Sequence, residues 1–91
     1  MYFVYILYSL RADRYYIGQT DNLDNRLQRH NSGLVRSTKA YLPWELKYSE
    51  VYATRSEAVQ REREVKAQKS RRYIEDLVAS HSTGRVPLGR D

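Results

Sequence analysis

The chain opens with a run in which aromatic, β-branched and aliphatic side chains fill almost every position from Tyr2 to Ser9. The same chemistry returns over Tyr15 to Thr20, after the polar gap Arg11-Ala12-Asp13-Arg14. Two such runs joined by a short polar connection predict a β-hairpin. Thr20-Asp21-Asn22 then offers side-chain oxygens able to accept from the first free amides of a helix. Leu23 and Leu27, with Gly33 as a stop, predict that helix to last about three turns. Strand chemistry resumes over Leu46 to Ala53, and Thr54 or Ser56 is the candidate cap of a second helix beginning at Glu57 and running to about Lys69. Three residues after Ser56 stands Val59, so this reading expects no reciprocal capping box. Tyr73, Ile74, Leu77 and Val78 recur at helical spacing and predict a third, short helix over 70–79.

The order ββαβαα within 91 residues predicts an α+β fold with a small, mainly antiparallel sheet and helices packed on it. A chain of this length has apolar residues enough for one core, so one domain is expected over 1–80. Residues 81–91, with Gly84, Pro87 and Gly89, have little to bury and are expected to form a loose tail.

Composition narrows the function classes. The longest apolar run, Tyr2 to Tyr8, is strand-sized and far short of the ~18 residues of a membrane span, so no membrane contact is expected. The chain lacks a basic leader followed by an apolar stretch and a small-residue cleavage site, which predicts the cytoplasm. The absence of Cys agrees, and it excludes disulfides, thiolate zinc sites and thiol catalysis. Sixteen Lys plus Arg against eleven Asp plus Glu give a net charge of +5, a balance that favours a polyanionic partner. The bias is local as well as global. No acidic residue occurs from Asn25 to Trp44, while Arg26, Arg29, Arg36 and Lys39 fall within that stretch, and Ser32 to Pro43 reads as a basic loop. Nine Tyr is a high count for so short a chain. Tyrosine suits half-buried pleated surfaces, stacks on bases and carries a phenol capable of proton chemistry, so position must decide between these uses.

Helical angle separates the polar residues. At about 100° per residue, Arg26 and His30 flank Leu23 and Leu27, whereas Gln28 and Arg29 point away. An Arg that snorkels and a His that completes a packing contact would need no function. On the second helix Ala58, Val65 and Lys69 share a stripe that also contains Glu62, with Lys66 and Val59 at its edge. A carboxylate on an inward face is costly unless it is paired or binds a metal. Pairing with Arg26, or with Lys66 one turn on, is one outcome; metal-assisted phosphodiester chemistry, using an inward Glu and an inward Arg together, is the other. On strands, Tyr5 and Tyr16 are ordinarily core or cross-strand aromatics, and Gly18 ordinarily marks a bulge or a close backbone approach.

These residues together resemble the GIY-YIG nuclease family. The pattern is Phe3-Val4-Tyr5, ten intervening residues, then Tyr16-Ile17-Gly18, followed in order by Thr20, Leu23, Arg26 and His30. Ala58-Val59-Gln60-Arg61-Glu62 with Lys66 resembles the segment carrying the family's acidic residue. Ser37-Thr38-Lys39 and Pro43-Trp44-Glu45-Leu46 are similar to small stand-alone bacterial members. The likeness spans Met1 to Leu77. It implies a three-stranded antiparallel sheet flanked by helices and metal-dependent hydrolysis of DNA, on structured or branched forms, in repair or recombination. Carried over, it implies that Glu62 holds one Mg²⁺ or Mn²⁺, Arg26 neutralises the phosphate, and Tyr5 sits beside the attacking water. It further implies that Tyr16 closes the site and that His30 is an auxiliary donor or proton shuttle. Arg29, Arg36, Lys39, Lys66 and Lys69 are the candidate phosphate contacts. The chain departs from the pattern in the Gly and Ile of the first tripeptide, in having Gln19 and no Lys before Gly33, and in having no separate DNA-binding domain. A nucleic-acid-binding module with weak turnover and an interaction subunit of a larger assembly are the rival readings. Oligomeric state, monomer or weak dimer, stays open.

Overall fold

A computed structural model describes residues 1–82. Its elements are β1 (Tyr2–Ser9), β2 (Arg14–Thr20), α1 (Leu23–Asn31), a 3-10 turn (Lys39–Tyr41), β3 (Glu45–Tyr52), α2 (Arg55–Ala67) and α3 (Arg71–Ser82). The expected ββαβαα order and α+β class are therefore what forms. The sheet runs β2-β1-β3, with both pairings antiparallel and a register shift between Ile6 and Leu7 against β3.

The central place of β1 explains why its sequence is continuously apolar rather than alternating. Val4 and Ile6 face one core with Ile17, Tyr48, Ala58 and Val65, against which Tyr73, Ile74, Leu77 and Val78 also pack. Tyr5 and Leu7 face the other core with Trp44, Tyr16, Leu23 and Leu27. With helices on one face and α1 with its following loop on the other, β1 has no solvent side, and each residue from Val4 to Leu7 is 1% exposed. A strand covered on both faces needs apolar side chains at every position.

Several boundaries differ from the sequence reading. Asn22, the last of three candidates, caps α1 by accepting from the Asn25 amide. α2 begins at Arg55, two residues earlier than expected, and Thr54 forms a full capping box: its hydroxyl takes the Glu57 amide while the Glu57 carboxylate takes the Thr54 amide. The expectation of no box followed from counting from Ser56, when the partner of Glu57 is the residue three before it. α2 ends at Ala67, since Lys69 adopts a φ of 49° and so leaves the helical stripe to which angle assigned it. The basic loop is partly ordered by the 3-10 turn and by Thr38, which is 2% exposed. α3 continues through residue 82, past the expected boundary at 80, and the rest of the expected tail, 83–91, lies outside the described residues. Among the described residues no helix is long and apolar enough to cross a membrane.

One polar cluster is built into the β3–α2 side. The Glu50 carboxylate accepts from the Tyr48 and Tyr52 hydroxyls and from Arg61 Nε (2.9 Å) and a terminal nitrogen of the same guanidinium (3.1 Å), while Arg61 also donates to the Tyr73 hydroxyl at 3.2 Å. Burial pushes the Glu50 pKa up, but hydrogen bonds from Arg61, Tyr48 and Tyr52 outweigh it, and the net position lies below the ordinary carboxylate value. This cluster joins β3, α2 and α3.

Candidate active site

The candidate site is built around Tyr5, which is 1% exposed. In the β1–β2 register Tyr5 lies opposite Gly18, and its ring crosses the glycine so closely that a Cβ there would stand 2.5 Å from the phenol oxygen and 2.7 Å from Cζ. The phenol reaches His30 Nε2 at 3.2 Å. His30, in the last turn of α1, is fully buried, and its Nδ1 lies 2.9 Å from Thr38 Oγ1. The Thr38 hydroxyl donates to the Val35 carbonyl at 3.3 Å, and Trp44 Nε1 donates to the Thr38 carbonyl at 3.0 Å. Asn31 clasps the Trp44 backbone from both sides, donating to its carbonyl and accepting from its amide. The loop after α1 is thus fastened at its far end to the residue that backs His30. Tyr16 tilts over the same place, its ring centroid 4.8 Å from His30 and 6.3 Å from each of Tyr5 and Trp44.

Electrostatics link this pair to α1 and α2. Desolvation by burial, then the neighbouring Tyr16, raise the Tyr5 phenol; Arg26, by charge and hydrogen bonding, opposes them, and Glu62 adds a smaller upward push, leaving the pKa at about 12. Burial, followed by the charges of Arg26 and Arg29, moves His30 below its ordinary value of 6.5. At neutral pH the site therefore holds a neutral phenol beside a neutral imidazole. Arg26 is half-buried, as its angle on α1 implied, and His30 is the buried polar residue of that helix.

Glu62 has a side chain 20% exposed and pairs with Lys66 at 2.7 Å, so of the two ion pairs open to it from the sequence, the one along its own helix forms. Among the described residues no three His, Cys, Asp or Glu side chains cluster as a metal cage. A lone carboxylate is nevertheless the donor chemistry that suits Mg²⁺, which binds through one or two carboxylates and completes its shell with water and phosphate oxygens. It does not suit the closed His and Cys sets of zinc.

The expected phosphate contacts divide. Arg29, Arg36 and Lys39 are exposed and make no ion pair among the described residues; Lys69 is exposed beyond α2; Lys66 is committed to Glu62. In contrast, Arg61, Arg71 and Arg72 on the α2–α3 side each meet a carboxylate. Among the described residues the positive charge that meets no carboxylate thus lies on α1 and its loop, at Arg29, Arg36 and Lys39, and also on α2, at Arg55 and Arg63. Arg14, which sequence reasoning left out, joins it by stacking over the Tyr41 ring at 4.8 Å.

The profile of the GIY-YIG catalytic domain matches residues 1–74. The chain belongs to the GIY-YIG family. It is similar to a UPF0213 protein of Bacillus licheniformis, 37% identical over 79 residues that cover 82% of this chain and 80% of that one. A UPF0213 protein of Bacillus pumilus is 42% identical over 66 residues, 68% of this chain and 67% of its own. The solution NMR structure of a UPF0213 protein from Bacillus halodurans superposes with a TM-score of 0.53 at 34% identity, covering 87% of this chain and 84% of that one. In this GIY-YIG chain the two signature tripeptides are adjacent strands, which is why Tyr5 and Gly18 meet. The sequence reading missed Thr38, Asn31 and Trp44 as supports of the site. For Thr38 and Trp44 the only signal was the likeness of their segments to stand-alone members, because a loop has no period from which inward residues can be picked out; Asn31 is the last residue of α1.

Proposed function

We propose that this chain is a metal-dependent endonuclease that hydrolyses DNA phosphodiester bonds, on structured or branched DNA, in repair or recombination within the cytoplasm. The observation that carries the reading is the buried junction of Tyr5 from β1, Tyr16 from β2 and His30 from α1, where the phenol crosses Gly18 and stands 3.2 Å from His30 Nε2, with Arg26 half-buried on the same helix as His30. A phosphate under attack gains negative charge, and a guanidinium held at the cleft wall stabilises that charge without having to reorganise. Glu62 is the residue that would hold Mg²⁺ or Mn²⁺, which when bound supplies Lewis-acid stabilisation of the phosphoryl oxygens. In this reading Tyr5 would orient the water that attacks the phosphorus, and Tyr16, whose ring lies 4.8 Å from His30, would shield it from bulk solvent. Membership of a nuclease family and the +5 charge support the same reading. A module that only bound nucleic acid would gain nothing from an inward carboxylate, which repels phosphate.

The test is a panel of linear, nicked, flapped and branched DNAs incubated with Mg²⁺, Mn²⁺ or EDTA. Cleavage with either ion and none with EDTA is expected. Glu62→Gln should lose ~100-fold or more of it, while the pair it breaks, to a half-exposed Lys66, keeps the stability change small, about 1 kcal/mol or less. Undiminished metal-dependent cleavage by that variant would sink the assignment.

Binding and cleavage should separate. Neutralising Arg36 and Lys39 together is expected to weaken DNA binding and to flatten the dependence of log K on log salt by about one unit per contact. The rate at saturating DNA should change little. An unaltered salt slope would make the loop a solvated face.

A further inference from the structure

The buried chain behind Tyr5 has a direction. Tyr5 Oη to His30 Nε2, His30 Nδ1 to Thr38 Oγ1, and Thr38 Oγ1 to the Val35 carbonyl are three successive contacts of 3.2, 2.9 and 3.3 Å. A neutral imidazole has one N–H, so one ring nitrogen donates and the other accepts. If Nδ1 donates, the Thr38 hydroxyl is free to give its proton to Val35, Nε2 accepts from Tyr5, and every proton of the chain is satisfied inside the protein. If Nε2 donates, the Thr38 proton must turn to Nδ1, its contact with Val35 is lost, and the Tyr5 proton is sent into the cleft. There it meets Arg26, which has protons to give and no lone pair to receive one. The Thr38–Val35 contact favours the first arrangement.

We infer that Thr38 is a positioning residue that holds His30 as the Nδ1–H tautomer, so that Nε2 accepts the Tyr5 proton and His30 is the terminal base for the attacking water. The inference rests on the hydrolytic reading above for its chemistry, but its tautomer claim stands apart from it. In the step, a water O–H bond breaks while its oxygen forms a bond to phosphorus. The released proton goes to the Tyr5 oxygen as the phenol's own proton passes to the Nε2 lone pair, giving imidazolium. The electron pair of the breaking P–O bond stays on the leaving oxygen, which is protonated by solvent, and His30 returns its proton through Tyr5. This route avoids free phenolate, which the burial of the Tyr5 ring disfavours. The groups that face His30 are Tyr5 from β1, Tyr16 from β2 and the uncharged Thr38 from the loop, with the charges of Arg26 and Arg29 nearby on α1; burial first, and then those two charges, keep the resting ring neutral.

The experiment has two arms on the full chain. In the first, ¹⁵N NMR of the imidazoles, without DNA or metal, reads the tautomer directly; the chain has two His, which keeps the spectrum simple. Nδ1 protonated in the wild type and in Thr38→Ser, and a shift toward Nε2 protonation in Thr38→Val, is expected. Nε2 protonated in the wild type overturns the inference, even if the protein cleaves DNA. In the second arm, Thr38→Val should lower kcat at least ~10-fold with KM nearly unchanged, and Thr38→Ser should restore it. The wild-type rate should be level above neutral pH with its acid limb below 6.5. A rate that climbs tenfold per pH unit through pH 9 assigns the base to phenolate and overturns it. If no DNA is cut, the nuclease reading fails, while the first arm still decides the role of Thr38.

Discussion

Arg61→Ala is expected to cost about 3–5 kcal/mol of folding stability, the largest loss from any single substitution outside the cleft. Glu50 has a side chain 13% exposed, and among the described residues Arg61 is its one ion-pair partner and supplies two of its four hydrogen bonds. Truncating the arginine leaves a carboxylate in a β3–α2 pocket with two phenols and no counter-charge. A domain of this size has ~5–10 kcal/mol in all, so a large part of the population should unfold on warming. Chemical denaturation should show it as a lower midpoint, and cleavage per folded molecule should be unchanged because Arg61 holds Glu50, which is paired with Val4 of the core face away from Tyr5. The effect has a definite pH signature. In the wild type the folded pKa of Glu50 lies below its unfolded value, so its contribution is fully present above that unfolded value, ordinarily about 4.3, and is lost as pH falls through the folded one. In the variant, burial without Arg61 raises the folded pKa, and protonation then favours the folded state. The stability gap should therefore be widest at neutral pH and narrow toward pH 4. A gap that is constant over that range would mean that Arg61 acts through packing and not through the Glu50 charge. Replacing both residues, as Glu50→Gln with Arg61→Met, should recover most of the loss.

How far the sequence could be read is instructive residue by residue. Elements with a clear period were legible: the strands, α1 from Leu23 and Leu27, and α3 from Tyr73 to Val78 all form within a few residues of their expected limits. Angle alone placed His30 and Arg26 on the inward side of α1, and it placed Glu62 near the core, where it is mostly covered. It could not say which cation Glu62 would meet, since the angle of a side chain on one helix carries no distance to another. Lys69 was misplaced because its positive φ ends the helix, and a Lys at such a position gives none of the warning that Gly would. Thr38 was out of reach for a different reason. It is buried by contacts to His30, Val35 and Trp44, all set by the path of a loop with no repeating pattern. The state of the Tyr5 phenol was equally hidden, because it depends on burial on both faces of β1 and on groups from three other elements.

Gly18→Ala is expected to abolish most activity while leaving a folded protein. Glycine is required here by a close approach and not by backbone conformation: the new methyl would lie 2.5 Å from the Tyr5 oxygen and 2.7 Å from Cζ, well inside van der Waals contact. The ring has little room to yield. It is 1% exposed, its hydroxyl is held by His30, and Tyr16 and Leu7 fill the same core. Overpacking of this kind typically costs ~1–3 kcal/mol, which the domain can survive. The ring must swing off Gly18, and that movement breaks the 3.2 Å contact with His30. Loss of a positioned proton-transfer group commonly lowers a rate ~100-fold or more, so cleavage should fall by that amount while DNA binding at the exposed arginines persists. The check is a double-mutant cycle with Tyr5→Phe. Both changes remove the same hydroxyl from the same place, so the activity losses should fail to add, with the double variant about as slow as either single one. Losses that multiply in the cycle would mean that Gly18 serves the site through some other contact, and that the crossing of Tyr5 over Gly18 matters for packing alone.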